Sequence, residues 1–205
     1  TEQDRGTLGS AFLPTALNSF VLTARRLLVQ PYCLLCSRSV AESRGPIPCA
    51  SCQTKLQLTR GGLQGEAPLP WRALGHYKGP FRSLLLRLRQ TPDNQSLKSL
   101  IALMKLTLTF QPSDLLVPIP SWKKRRSNPL PARLAEGLGV ASANLLERRF
   151  VGTSQHRLNR CRRLSNPEGS FRLLQQPSGD RTLWLVDDIL TTGATALTAQ
   201  KALQI

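Results

Sequence analysis

The stretch LWLVDDILTTGAT, Leu183 to Thr195, constrains the fold more than any other part of the chain. From Thr182 the residues are apolar and β-favouring, and the run ends abruptly in Asp187 and Asp188. A small, hydroxyl-rich turn then leads into ATALTAQKALQ, Ala194 to Gln204, which has the composition of a helix. An uninterrupted apolar run suits a strand covered on both faces, and such strands belong to parallel sheets.

The surrounding sequence supports that architecture. WRALGHYKG (Trp71 to Gly79) suits a strand and turn. PFRSLLLRLRQ (Pro80 to Gln90) opens with proline at a helical first turn and places Leu84, Leu85 and Leu88 on one face. Ser96 to Phe110 predicts a second helix with Ser96 as its cap, and Pro131 to Val140 a third with Pro131 in its first turn. Asp114 to Pro120 (DLLVPIP) reads as a short apolar strand halted by prolines, which cannot donate to a central ladder. Strand and helix alternate from Trp71 onward, so a parallel sheet with helices on both faces is expected.

At the carboxyl end of a buried parallel strand, the chain enters the crevice where open α/β sheets bind ligands. Asp187 and Asp188 are therefore expected to project towards a site, where two acids can hold ribose hydroxyls. Thr191, Thr192, Gly193, Ala194 and Thr195 follow at a helix N-terminus, where free N–H groups, hydroxyls and a glycine permitting close approach can cradle a monophosphate. Acids for a sugar and amides for its 5′-phosphate describe a ribose phosphate site. The plainer alternative makes the two acids loop solvation and Thr191 or Thr192 a helix cap.

Four of the five cysteines follow a metal-binding pattern: Cys33-x2-Cys36, twelve residues, then Cys49-x2-Cys52. Their thiolates can converge tetrahedrally on one structural zinc ion. The intervening SRSVAESRGPIP has too few apolar residues to fold by burial alone. Two disulfides or a dithiol redox pair are the competing readings. Cys161 stands alone among arginines. Ala11 to Gln30 reads as an amphipathic helix from about Thr15 to Leu28 rather than a secretion signal. The Gly/Pro-rich RGGLQGEAPLP (Arg60 to Pro70) is expected to be a linking loop, with a boundary near Pro70.

The formal net charge is +16, from 28 Lys and Arg against 12 Asp and Glu. Such a surface concentrates polyanions, so nucleic acid, anionic lipid or a phosphorylated small molecule are the candidate partners. Trp122 to Phe171 holds eleven of the cations against three glutamates, which localises half the net charge. A diphosphate or a DNA backbone would engage Lys123, Lys124, Arg125, Arg126, Arg157, Arg160, Arg162 and Arg163. Trp122 beside KKRR could stack on a base, or simply pack. No run approaches the roughly 18 apolar residues of a membrane span, so a soluble or peripheral protein is expected, and its expected location is the cytoplasm.

LWLVDDILTTGAT resembles the phosphoribosyl-diphosphate signature of type I phosphoribosyltransferases: four apolar residues, two acids and a Thr/Gly-rich loop. Together with the four cysteines it resembles the ComF family, competence-associated phosphoribosyltransferase-like proteins. PYCLLC (Pro31 to Cys36), LLVPIP (Leu115 to Pro120) and the series Gln155, Leu158, Arg163, Asn166 and Phe171 match that family's pattern. The resemblance implies an α/β fold with a type I phosphoribosyltransferase-like parallel sheet and flanking helices. A helix and zinc-knuckle module at 1–70 would precede that domain at 71–205. It further implies binding of phosphoribosyl diphosphate or a ribose phosphate and Mg²⁺ with the diphosphate. A role in DNA uptake and natural transformation follows, with single-stranded DNA and a competence-machinery protein as partners.

The alternative is an active phosphoribosyltransferase in nucleotide metabolism, with Asp187 and Asp188 as its catalytic acids. Two departures bear on these expectations. Ser121 to Leu134 (SWKKRRSNPLPARL) replaces the family's Arg-Gly-Phe-Asn-Gln, where diphosphate contacts are expected. The family also runs on into at least one further strand beyond the helix where this chain ends, which leaves a C-terminal truncation open. Related purine-salvage enzymes often carry an acid at the position of Thr191, and its absence disfavours a purine acceptor. His76 and His156 are the sole histidines, neither placed as an evident base.

Overall fold

The computed structural model describes residues 31–40, 45–91, 93–121, 128–149 and 170–203. Among them the chain is a mixed α/β protein with five helices and three two-stranded sheets.

The parallel pairing is formed by β3 (Leu115–Pro118) and β6 (Leu183–Val186), in the register Leu115↔Leu183 through Pro118↔Val186. The Leu115 N–H donates to Thr182 O at one end and the Ile119 N–H to Val186 O at the other, so the ladder runs on past both strand ends. The opposite edge of β3 is also engaged. Leu116 N–H donates to Ala141 O and Ala143 N–H to Leu116 O, making an isolated parallel bridge between Leu116 and Ser142. Of the parallel sheet expected from the sequence, this pair and bridge are what the described residues contain.

The pleat of β3 explains its unbroken apolar sequence. Successive side chains point to opposite faces, and here each face meets a different core. Leu116 joins Val186 and the helices α2 (Gly79–Gln90), α3 (Asn94–Lys105) and α4 (Leu130–Leu138). Leu115, Val117 and Ile119 join Leu145, Leu146, Phe171, Ala199 and Leu203 on the other side. That second core lies beneath β4 (Leu146–Arg148), its antiparallel partner β5 (Phe171–Leu173) and α5 (Ala194–Leu203). Because both faces are covered, the carboxyl end of the strand pair is where the chain can present polar groups.

Two sequence expectations change. The Gly-rich stretch expected as a linking loop forms most of β1 (Leu58–Gly65), which pairs antiparallel with β2 (Trp71–Gly75). Its glycines hide a strand because one of them serves an irregularity. Register shifts between Leu58 and Leu63, and Gly62 sits there at φ 68°, where an added Cβ would lie 2.9 Å from Ala73 O. Leu58 and Leu74, on either side of residue 70, share the first core with Leu56 at the end of α1 (Ala50–Leu56). The cap of α3 is Asp93, not Ser96. Its carboxylate accepts from the Gln95 and Ser96 N–H groups and from the Ser96 hydroxyl. The N-terminal helix expected over Thr15 to Leu28 lies outside the described residues.

Candidate functional site

The four cysteines converge. All four Sγ atoms lie within 4.8 Å of one another, with Cys33–Cys52 at 3.9 Å and Cys36–Cys49 at 3.8 Å. A tetrahedron with zinc–sulfur bonds of about 2.3 Å has edges of about 3.8 Å, whereas a disulfide needs about 2.05 Å. The cysteines are free thiols, and the donor set fits zinc.

Local backbone builds this geometry. The Ser37 N–H donates to Cys33 O and the Cys33 N–H to Arg38 O, closing a tight knuckle with Ser37 at φ 57°. Cys49 is the N-cap of α1, so Cys52 falls one helical turn later on the same side. Leu35 and Cys49 N–H groups both donate to Cys33 Sγ at 3.4 Å. Desolvation pushes the Cys33 thiol up, but the backbone donors of Cys49, Leu35 and Cys36 outweigh it and bring it to about 6. Burial and the neighbouring sulfurs push Cys52 upward instead. A cluster that favours the Cys33 thiolate while burial pushes Cys49 and Cys52 upward is what a divalent cation resolves.

The acid pair sits where the sequence places it, at the end of β6, but its members differ. Asp187 is exposed; the Asp188 side chain is 0% exposed, contrary to the expectation that both project out of the core. Arg89, in the last turn of α2, grips Asp188 with two parallel bonds: Nε to Oδ2, and Nη2 to Oδ1 at 2.8 Å. Asn128 Nδ2 adds a third, to Oδ2 at 3.0 Å, while Asn128 Oδ1 accepts from the Leu130 N–H at the start of α4. Asp187 Oδ1 accepts the Asp188 N–H at 2.8 Å.

These surroundings drive the two acids apart. Although Asp187 keeps surface in solvent, desolvation by its neighbours pushes it up to about 7, and the charge on Asp188 adds to the rise. Desolvation also opposes ionisation of Asp188, but Arg89 and Asn128 overcome it and hold that carboxyl below its ordinary value. Arg148 approaches from the end of β4. Its guanidinium lies 4.2 Å from the Phe171 ring centroid and its Nε donates to Pro120 O at 3.2 Å. Burial lowers its proton affinity and the charge of Asp187 partly restores it; an arginine stays protonated in either case.

The turn after the acids leads straight into α5. Thr191 and Thr192 are exposed, and Leu197 is the residue that donates back to Gly193 O. The Thr192 hydroxyl accepts from the Ala194 N–H at 3.4 Å, a weak form of the cap in the plainer alternative. Gly193 has φ 75°, and a Cβ there would fall 2.3 Å from Cγ of Pro68, between β1 and β2. Pro68 thus packs against one side of the turn.

Sequence reasoning missed Arg89, Asn128, Arg148 and Pro68, which no local motif marks. Lys123, Lys124, Arg125, Arg126, Arg157, Arg160, Arg162 and Arg163 lie outside the described residues, as do Trp122, His156 and Cys161. His76 is exposed between β2 and α2. A separate cleft of about 470 Å³ is lined by Tyr32, Cys33, Ile47, Cys49, Arg60 and Leu106 among others, and by none of the acid-pair residues. No helix among the described residues is long and apolar enough to cross a membrane.

Fold and sites together define a mixed α/β protein with four cysteines positioned to bind a metal ion and an acid pair closing a parallel strand pair. The chain is similar to DNA utilization protein YhgH of Escherichia coli K12, at 27% identity over 182 residues covering 80% of this chain and 79% of that protein. It is similar at 26% identity, with the same coverage, to the proteins of that name from Shigella flexneri and Escherichia coli O157:H7. No family model matches the chain, and no solved structure does.

Proposed function

We propose that the protein binds a ribose phosphate, phosphoribosyl diphosphate or a related sugar phosphate, in a phosphoribosyltransferase-like domain and acts in the utilization or uptake of DNA. The observation that carries the ligand class is the junction at the end of β6: an exposed carboxylate, Asp187, followed within eight residues by a hydroxyl-rich turn and the start of α5. Asp187 accepts a ribose hydroxyl. Thr191 and Thr192, with the first N–H groups of α5, take the 5′-phosphate. Arg148, whose charge interacts with that of Asp187, adds positive charge near the acid. Zinc at Cys33, Cys36, Cys49 and Cys52 is structural, because four protein thiolates leave no open position. Magnesium, which the family resemblance implies, would be held chiefly by the diphosphate, since Asp188 is committed to Arg89 and Asn128.

The DNA role rests on the names of the similar proteins and on the basic balance of the chain. Single-stranded DNA is the partner that a strongly cationic chain suits, tracked through its phosphates, while an aromatic content of 5% argues against an extensive stacking platform. An active transferase on an unidentified acceptor is the second reading, favoured by the proton-holding tendency of Asp187 next to a fixed carboxylate. Calorimetric titration of ribose 5-phosphate tests the ligand class. Wild type binds, and the Asp187→Asn, Asp188→Asn double variant does not while keeping its circular dichroism. Equal binding by the double variant would remove the acids from the site.

A further inference from the structure

Asp188 and Asp187 are adjacent in sequence, yet one is sealed from solvent beneath a forked guanidinium and the other is open. Three hydrogen bonds from two elements 39 residues apart, Arg89 on α2 and Asn128 before α4, converge on the Asp188 carboxylate. A carboxylate so saturated offers little to a sugar hydroxyl. Asp187 has one hydrogen bond among the described residues, from the neighbouring backbone N–H.

We infer that Arg89 is a positioning residue: it commits Asp188 to the frame as a fixed anion, so that Asp187 alone meets the ribose hydroxyl. This rests on the ribose phosphate reading given above and deepens it. The geometry is self-consistent. Arg89 lies in the final turn of α2, where a cation also faces that helix's free carbonyls. Its two parallel bonds fix the plane of the Asp188 carboxylate, and through the Asp188 N–H they fix Asp187 Oδ1. Among the described residues, the charged groups that act on the pair are Arg89 from α2, itself influenced by Tyr77, and Arg148 from β4; Asn128 contributes a neutral amide. The opposed shifts of the two carboxyls agree with this division of roles.

The test uses the full chain and ribose 5-phosphate. By calorimetry, Arg89→Gln and Asp188→Asn are expected to weaken binding by comparable factors, and the Arg89→Gln, Asp188→Asn double variant no further, within about threefold. Asp187→Asn is expected to cost about tenfold or more by itself, one charge-assisted hydrogen bond. Arg89→Lys, which keeps the charge but not the fork, falls between Arg89→Gln and wild type. If Arg89→Gln alone does not fold, the double variant, in which an amide pair replaces the ion pair, carries the comparison. Carboxyl ¹³C titration of the free protein supplies an independent reading: the two aspartates titrate far apart in wild type, and the gap narrows in Arg89→Gln.

Wild-type binding with an unaffected Arg89→Gln, or double variant, would overturn the inference and leave the ribose phosphate reading standing. Absence of wild-type binding would overturn that reading. The carboxyl titration then decides the division of the two acids: a gap that narrows in Arg89→Gln supports it, and an unchanged gap overturns it.

Discussion

Removing one cysteine from the cluster, Cys49→Ser, is expected to release the metal and unfold the knuckle with it. The segment between the cysteine pairs, SRSVAESRGPIP, holds few apolar residues, and its cohesion comes from sulfur positions that match the edges of a zinc tetrahedron. The damage spreads, because α1 starts at Cys49 and ends on Leu56, which sits in the first core at 8% exposure beside Leu58, also 8%. Exposing those two leucines costs about 3–6 kcal/mol. For a chain of this size that lowers the unfolding midpoint on the order of 10–20 °C. Elemental analysis of anaerobically purified wild type should give one zinc per chain, and differential scanning calorimetry should show the drop for Cys49→Ser and for chelator-treated wild type. Metal-free wild type that melts within about 2 °C of the untreated protein would refute the reasoning.

Leu116→Ala, at a position fully buried in β3, is expected to cost about 2–5 kcal/mol in urea unfolding, because β6, the Ser142 bridge and the helices of the first core hold the cavity open. Ser99→Ala in α3 should instead stabilise by about 1 kcal/mol, since the buried Ser99 hydroxyl has no hydrogen-bond partner among the described residues. The Asp187 carboxyl has a folded value of about 7 against 3.8 ordinarily, so its contribution to stability is present below pH 3.8 and is lost as pH rises through 7. Asp188 behaves oppositely, its contribution being lost as pH falls through its lowered value. Asp187→Asn should therefore gain on wild type between those limits in thermal unfolding. Ribose 5-phosphate affinity should rise as Asp187 ionises near pH 7, a limb that Asp187→Asn lacks.

What could be read from the sequence was what local pattern encodes. Two apolar runs closed by prolines or acids became β3 and β6, and periodic leucines became α2, α3 and α4. Cysteine spacing foretold the cluster because four ligands within 20 residues leave few ways to converge. β1 was missed because glycine lowers strand propensity even where a bulge requires it. The Asp93 cap was missed because aspartate and serine both cap well, and their contest is settled by backbone geometry. The partnership of Asp188 with Arg89 spans 99 residues, and no spacing rule reaches that far. Neither carboxylate announces in sequence which of the two will be buried; that follows from where the last turn of α2 comes to rest.

The central claim is that the turn after β6 receives a sugar phosphate. Its most direct test is amide ¹H–¹⁵N spectroscopy of the zinc-loaded protein during titration with ribose 5-phosphate. Saturable shifts are expected at Asp187, Asp188 and the Thr191 to Ala196 amides, with the cysteine cleft around Tyr32 and Leu106 unmoved. Unchanged amides from Thr191 to Ala196 at saturating ligand, or shifts confined to the cleft, would contradict the account.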